Sequence, residues 1–82
     1  MYRVIPKIKS KEDFLNFLGM FIQDFHNNKA TWQNKNLEDF LEAMESWVED
    51  MDGYYENMNL PVPEKVDWKI FADILFASKM QE

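Results

Sequence analysis

From residue 36 to residue 58, apolar and acidic positions follow two separate helical stripes. The apolar residues recur at the i, i+3, i+4, i+7 spacing of a helix face that packs on a core. They are Leu37, Phe40, Leu41, Met44, Trp47, Val48, Met51, Tyr54, Tyr55 and Met58. This pattern predicts an amphipathic helix over about 37–57 that runs through Gly53. Because glycine costs about 1 kcal/mol relative to alanine inside a helix, a break near Gly53 is the alternative.

The opposite side of this predicted helix carries a row of carboxylates, which we call the acidic ridge. Its members are Glu38, Glu42, Glu45, Glu49, Asp52 and Glu56. No Lys or Arg lies between Asn36 and Glu64, although like charges at i, i+4 destabilise a helix by roughly 0.2–0.5 kcal/mol per pair. The ridge is either a solvated face that keeps the protein soluble or a docking surface for a basic group. That group would belong to a partner or to the chain's own basic N-terminal segment.

Two further helices are predicted on either side of the central one. Ser10 and Asp13 form a capping box before a helix over about 11–27 that is rich in phenylalanine. Asp67 is a suitable N-cap for a last helix over about 67–80, and Pro61 and Pro63 keep the connection before it from being helical. The predicted fold is therefore all-α, a small bundle of three main helices in a single domain spanning 1–82.

The last predicted helix is apolar nearly all round. Such a helix is either sandwiched between other elements or presents a second face to a partner. Full burial of a terminal helix is hard to arrange in a domain this small, so we predict self-association, as a homodimer, through Ile70, Ile74 and Ala77.

The remaining segments are predicted to be irregular. Residues 1–9 should form an extended, basic arm, because Pro6 excludes a central strand. Trp32 stands alone in a polar loop, and we expect its ring to fold back into the core. His26, near the end of the first helix, is expected to interact with that helix terminus rather than to bind a ligand.

Composition narrows the functional classes. A hydrophobic content of 46% in 82 residues favours one folded domain over disorder. The net charge of −6 argues against direct binding of nucleic acid, which needs a basic surface. The chain has no cysteine for a disulfide or thiolate metal site, and its apolar runs fall short of the ~20 residues of a membrane span. Without a signal-peptide pattern at the N-terminus, we expect a cytoplasmic location.

No group of residues forms a recognisable catalytic constellation. The sequence around Asp50, Asp52 and Gly53 resembles part of a calcium loop. With Gly53 at loop position 6, however, Val48 and Asn59 occupy the ligand positions 1 and 12. We therefore predict no catalytic, metal-binding or cofactor-binding residue.

Three groups of anchors carry a resemblance to known sequences. They are Trp32-x-Asn34, the run Leu37-x-x-Phe40-Leu41-x-Ala43-Met44-x-x-Trp47, and Trp68-x-x-Phe71-Ala72-x-x-Leu75. Together they resemble a family of small uncharacterised bacterial domains over roughly Ser10 to the C-terminus. The resemblance implies a shared fold and transfers no ligand or catalytic residue.

These observations leave three functional classes. The first is a non-enzymatic interaction module that binds a basic protein through the acidic ridge, for example an inhibitor of the immunity-protein type. The second is a nucleic-acid mimic whose carboxylates replace phosphates. The third is an enzyme that uses a carboxylate pair, although no histidine partner or phosphate loop accompanies the acids.

Overall fold

Three α-helices make up most of the chain in the computed structural model, which describes residues 1–80. Helix α1 spans Lys11–Asn28, α2 spans Leu37–Asn57 and α3 spans Trp68–Met80. A short 3₁₀ helix at Lys29–Thr31 follows α1, and no strand occurs within residues 1–80. The predicted all-α fold and the bounds of its three main helices are confirmed.

The N-terminal segment differs from the prediction, because it is helical rather than extended. Tyr2–Lys7 forms a 3₁₀ helix that includes Pro6. In this conformation residues three apart share one side, so Ile5 and Ile8 both point inward and are buried. An extended arm would place them on opposite faces. Burial of both isoleucines thus selects the helical form.

Local capping explains where each α-helix begins. The backbone N–H three residues further on donates a hydrogen bond to Ser10 Oγ at 3.1 Å, to Asn36 Oδ1 at 2.8 Å and to Asp67 Oδ1 at 2.8 Å. These bonds satisfy N–H groups that have no partner inside the helix.

Helix α2 continues through Gly53 without a break. It ends in a Schellman motif, in which Asn59 adopts a left-handed conformation with φ of 57°. The Leu60 N–H donates to the Tyr55 carbonyl at 2.9 Å, and the Asn59 N–H donates to the Glu56 carbonyl at 3.1 Å.

Helix α3 is the central element of the fold. One side packs on α2, where Ile70 and Ile74 join Tyr55 in a core cluster. Another side packs on α1 and the N-terminal 3₁₀ helix, in a second cluster that includes Phe17 and Ala72. No Cα atom of α1 lies within 8 Å of a Cα atom of α2, both of which the structure describes completely. Helix α3 therefore bridges two helices whose backbones stay apart.

This arrangement corrects the interpretation of the all-round apolar pattern of α3. Ile70 and Ile74 are only 6% and 8% exposed, because they face α2 within the same chain. The expectation that they lie on a free face is wrong. Ala77 is half-buried and lines a cavity beside α2. Because Ile70 and Ile74 are buried within the chain, only Ala77 of the three residues remains partly open to a second copy.

The loop between α1 and α2 is tied to the end of α3. As predicted, Trp32 is buried, and its Nε1–H donates to Asp24 Oδ2 at 2.7 Å. The Lys79 ammonium donates to the same oxygen at 2.6 Å. The Asn34 N–H donates to the Lys79 carbonyl at 3.1 Å, and its side chain donates to the Ser78 carbonyl at 2.9 Å. These bonds satisfy carbonyls at the end of α3 that have no partner within the helix.

Candidate functional site

The six carboxylates of the acidic ridge lie together on the outer side of α2. All of them are exposed. Within residues 1–80, no ridge carboxylate accepts a hydrogen bond from another side chain or forms an ion pair with one. The ridge is thus a continuous negative surface that forms no ion pair with a basic side chain of residues 1–80.

The alternative that the basic N-terminal segment covers the ridge is wrong. The 3₁₀ helix Tyr2–Lys7 packs on α3 and α1 rather than along α2. Its basic residues Arg3 and Lys7, and Lys9 beyond it, form no ion pair with α2 in the described part of the chain. The acidic ridge therefore does not serve to hold the basic N-terminal segment in place.

Beside the ridge, α2 carries three exposed apolar side chains, which we call the apolar strip. Leu37, Leu41 and Val48 are 72%, 51% and 41% exposed. Their spacings of four and seven residues place them within about 40° of one another around the helix. The prediction that they face the core is wrong, because the backbone of α2 lies close to α3 alone. One neighbouring helix covers only part of so wide an apolar arc.

The exposed apolar surface continues from α2 onto the other two helices. On α1, Leu15 and Ile22 are more than half exposed, and they lie seven residues apart on one side. On α3, Phe71 is 41% exposed. Its ring stacks on Phe14 of α1 with centroids 5.1 Å apart. Around the axis of α3, Phe71 lies between the side that contacts α2 and the side that contacts α1. Its ring therefore faces the gap between helices α1 and α2.

One end of this gap forms a concavity of about 290 Å³. Phe25 of α1 and Leu37 and Phe40 of α2 line it, with Trp32 beside them. The apolar strip therefore starts at a recess large enough for a single apolar side chain of a partner.

The single histidine and the clustered carboxylates are the groups from which a catalytic or metal site would be built. His26 is exposed, and its imidazole neither donates nor accepts a hydrogen bond within residues 1–80. Among the described residues, no group of three or more His, Asp or Glu side chains is arranged to hold a metal ion.

Comparison with known sequences places the chain in a family. A family model described as a family of unknown function (DUF7660) matches residues 10–82. The chain belongs to this family. Membership in DUF7660 confirms the predicted resemblance to a small uncharacterised domain family, and the match leaves out the 3₁₀ helix Tyr2–Lys7. No curated protein and no solved structure matches the chain. None of the helices described for this DUF7660 domain is long and apolar enough to cross a membrane.

For this DUF7660 domain, sequence reasoning identified the ridge but missed the apolar strip next to it. The strip had a signal in the sequence. The apolar arc of α2 is wider than one neighbouring helix can cover, and Leu37, Leu41 and Val48 lie at its edge beside the carboxylates. Combining this width with the small number of helices would have indicated that some apolar positions stay exposed.

Proposed function

We propose that this chain is a non-enzymatic interaction module that binds a basic, amphipathic helix of another protein through the outer side of α2. The observation that carries the proposal is that the unpaired acidic ridge and the exposed apolar strip run side by side on the same helix. The two features together specify a partner more narrowly than either does alone.

The dimensions of the strip match a helical partner. The strip spans the twelve residues from Leu37 to Val48, and its two ends are about 16 Å apart along the helix axis. A helix of three turns has this length, and it can carry one apolar row beside one row of Lys or Arg. Its apolar side chains would lie on the strip and in the recess at Leu37. This is the helix-in-groove mode of recognition.

The two features would contribute different terms to binding. Covering Leu37, Leu41 and Val48 removes apolar surface from water and supplies affinity. The ridge accelerates encounter with a basic partner and excludes acidic ones, and this contribution falls as salt rises. An inhibitor of the immunity-protein type is one form of such a module, with the bound helix belonging to the protein that it neutralises.

The apolar strip favours this class over a nucleic-acid mimic or a carboxylate enzyme. A mimic needs carboxylates where phosphates would lie, and the exposed leucines add nothing to that role. A carboxylate enzyme needs two acids held by partners in a cleft, whereas the ridge carboxylates are all exposed and accept no hydrogen bond from another side chain of residues 1–80.

The proposal can be tested with two fluorescent peptides of the same Lys and Leu composition. In the first peptide the leucines form one helical stripe, and in the second they are permuted around the helix. We expect the chain to bind the striped peptide with one-to-one stoichiometry, more weakly as salt rises. The permuted peptide should bind much less tightly, because it cannot cover the strip and contact the ridge at the same time.

Matched variants separate the ridge from net charge. Glu45→Lys with Glu49→Lys should weaken binding on the order of tenfold at low salt, since each exposed pair contributes up to ~1 kcal/mol. Glu12→Lys with Glu64→Lys changes the net charge equally at exposed positions off the ridge and should have little effect. Leu41→Asn should weaken binding at all salt concentrations. Equal affinity for both peptides, or equal losses from the two double reversals, would contradict the proposal.

A further inference from the structure

A second candidate site lies on the side of α3 away from the apolar strip. It is a cavity of about 370 Å³, near the lower end of the roughly 300–1,000 Å³ typical of small-molecule sites. Four aromatic residues line it: Trp47 and Tyr54 from α2, Phe76 from α3, and Tyr2 from the N-terminal 3₁₀ helix. The cavity is thus built from three separate elements.

The four rings form two pairs whose members are tilted relative to each other. The centroids of Trp47 and Tyr54 are 5.4 Å apart with an interplanar angle of 56°. Those of Tyr2 and Phe76 are 5.3 Å apart at 53°. The hydroxyl oxygens of Tyr2 and Tyr54 are 3.2 Å apart, so a hydrogen bond joins the two pairs. Rings from different elements therefore surround one space in fixed relative positions.

The cavity also contains one carboxylate, that of Asp73, whose side chain is only 10% exposed. Its Oδ2 accepts a hydrogen bond from the Tyr55 hydroxyl at 2.6 Å and lies 3.5 Å from the Lys69 ammonium. Its other oxygen, Oδ1, accepts no hydrogen bond from residues 1–80. The carboxylate is held in place through one oxygen, and the other is available to a ligand.

Titration of the tyrosines does not add a second negative charge to the cavity. The hydrogen bond between the Tyr54 and Tyr2 hydroxyls, together with burial, raises the pKa of Tyr54 to about 12. Burial, followed by the hydrogen bond to Asp73, raises the pKa of Tyr55 as well. Both phenols stay neutral near pH 7, so Asp73 is the single negative group among the described residues that line the cavity. The Lys69 ammonium, 3.5 Å from Asp73 Oδ2, offsets part of this charge.

This combination of groups selects a particular ligand chemistry. Aromatic faces attract cations within about 6 Å of the ring centroid, and a buried carboxylate favours a positive charge while excluding anions. A primary ammonium or guanidinium would need acceptors for three or more N–H groups. Besides Asp73 Oδ1, the side-chain oxygens that line the cavity are the hydroxyls of Tyr2 and Tyr54, and these already bond to each other. A quaternary ammonium has no N–H group, and its methyl groups can pack on the rings.

We propose that this cavity binds a quaternary ammonium group, presented either by a small molecule such as choline or by a trimethylated lysine of a protein. The proposal does not depend on the function proposed for the acidic ridge, because the two sites share no residue.

The test is an NMR titration of the intact chain with three ligands, at constant ionic strength. They are choline, its neutral isostere 3,3-dimethylbutan-1-ol, and a short peptide containing trimethyllysine, each compared with a solvent or unmodified-peptide control. We expect the NMR signal of the Trp47 indole N–H to change its chemical shift in a saturable way on addition of choline, of the peptide or of both. The isostere should bind at least about fivefold more weakly, because the cation–π attraction is lost. Shifts with choline alone identify a small-molecule site, and shifts with the peptide alone identify a methylated protein.

Two variants and one matched control locate the binding. Trp47→Leu and Asp73→Asn should each weaken binding at least about fivefold. Trp68→Leu removes a tryptophan outside the cavity and should leave affinity unchanged. Equal binding of the isostere would overturn the proposal. So would the absence of shifts at about 10 mM of choline and of the peptide, where a site with a Kd near 1 mM is about nine-tenths occupied. If a variant fails to fold, the comparison of ligands on the wild-type chain decides by itself.

Discussion

Replacing Asp24 by Asn should destabilise the domain strongly, because this carboxylate joins α1 to the end of α3. Its Oδ2 accepts hydrogen bonds from Trp32 Nε1 and from Lys79 Nζ, at 2.7 and 2.6 Å. The side chain of Lys79 is 9% exposed and that of Asp24 is 21% exposed. In Asp24→Asn, the ammonium keeps its charge in a largely buried place without a counter-ion.

The size of the effect follows from this burial. Removing one partner of a fully buried ion pair costs about 3–5 kcal/mol. Partial exposure of Asp24 screens the pair, and an asparagine oxygen can still accept one bond, so we expect about 2–3 kcal/mol. At roughly 4–8 °C per kcal/mol for a domain of this size, the melting temperature should fall by about 10–20 °C.

The effect should also depend on pH in a defined direction. The Lys79 ammonium beside Asp24, and the Trp32 hydrogen bond, hold the pKa of this carboxyl below its ordinary value despite its partial burial. The folded pKa therefore lies below the unfolded one. The stabilisation is fully present above the unfolded pKa of about 3.9 and is lost as pH falls through the folded pKa. Wild type and Asp24→Asn should converge in stability as pH falls from about 5 towards 2.

The assay is urea unfolding and thermal melting, followed by circular dichroism at pH 7 and at lower pH. Asp52→Asn is the matched control, since it makes the same chemical change on the exposed ridge and should alter stability by less than about 0.5 kcal/mol. An Asp24→Asn variant that melts within a few degrees of wild type at pH 7 would refute the reasoning. So would a difference in stability that persists unchanged at low pH.

Substitutions at four other positions test the description of the fold. Gly53→Ala should raise the free energy of unfolding by about 0.5–1 kcal/mol, because the position is helical and an added Cβ meets no atom within 4 Å; a lower melting temperature would contradict this. Asn59→Ala should lower stability by about 1–2 kcal/mol, since φ is 57° there, whereas Asn59→Gly should not, and equal losses from both would show that the left-handed cap is unimportant. Ile74→Glu should unfold the domain, because its side chain packs between α2 and α3. Leu41→Glu on the exposed strip should remain folded by circular dichroism. A folded Ile74→Glu variant together with an unfolded Leu41→Glu variant would contradict the assignment of Ile74 as buried and Leu41 as exposed.

The features that the sequence predicted correctly depend on interactions between residues close together in the chain. The predicted caps at Ser10 and Asp67 each bond to an N–H three residues away. The apolar positions keep the same helical spacing on both sides of Gly53, and this spacing correctly predicted that α2 continues through it. Trp32 could be placed because a large ring in a polar loop has few favourable positions other than the core.

The features that were missed depend on which helix packs against which. Periodicity showed that α3 is apolar on several sides, but it could not show that Ile74 meets α2 while Phe71 remains partly open. The aromatic cavity likewise joins Tyr2 to Tyr54, which are 52 residues apart. No local pattern specifies such a pairing, because it follows from the assembly of all the helices.

The most direct test of the interaction proposal is site-specific photo-crosslinking from the surface of α2. A photoreactive amino acid is placed at Leu41 or Val48 on the strip, or at Met20 as an exposed control on α1. Each protein is then irradiated in a lysate of the source cells at low and at high salt. We expect both strip positions to give one major adduct, in which the chain is crosslinked to an amphipathic helix of a basic protein. The amount of adduct should fall at high salt, and Met20 should give none. Equal adducts from all three positions, or an adduct only from Met20, would contradict the proposal.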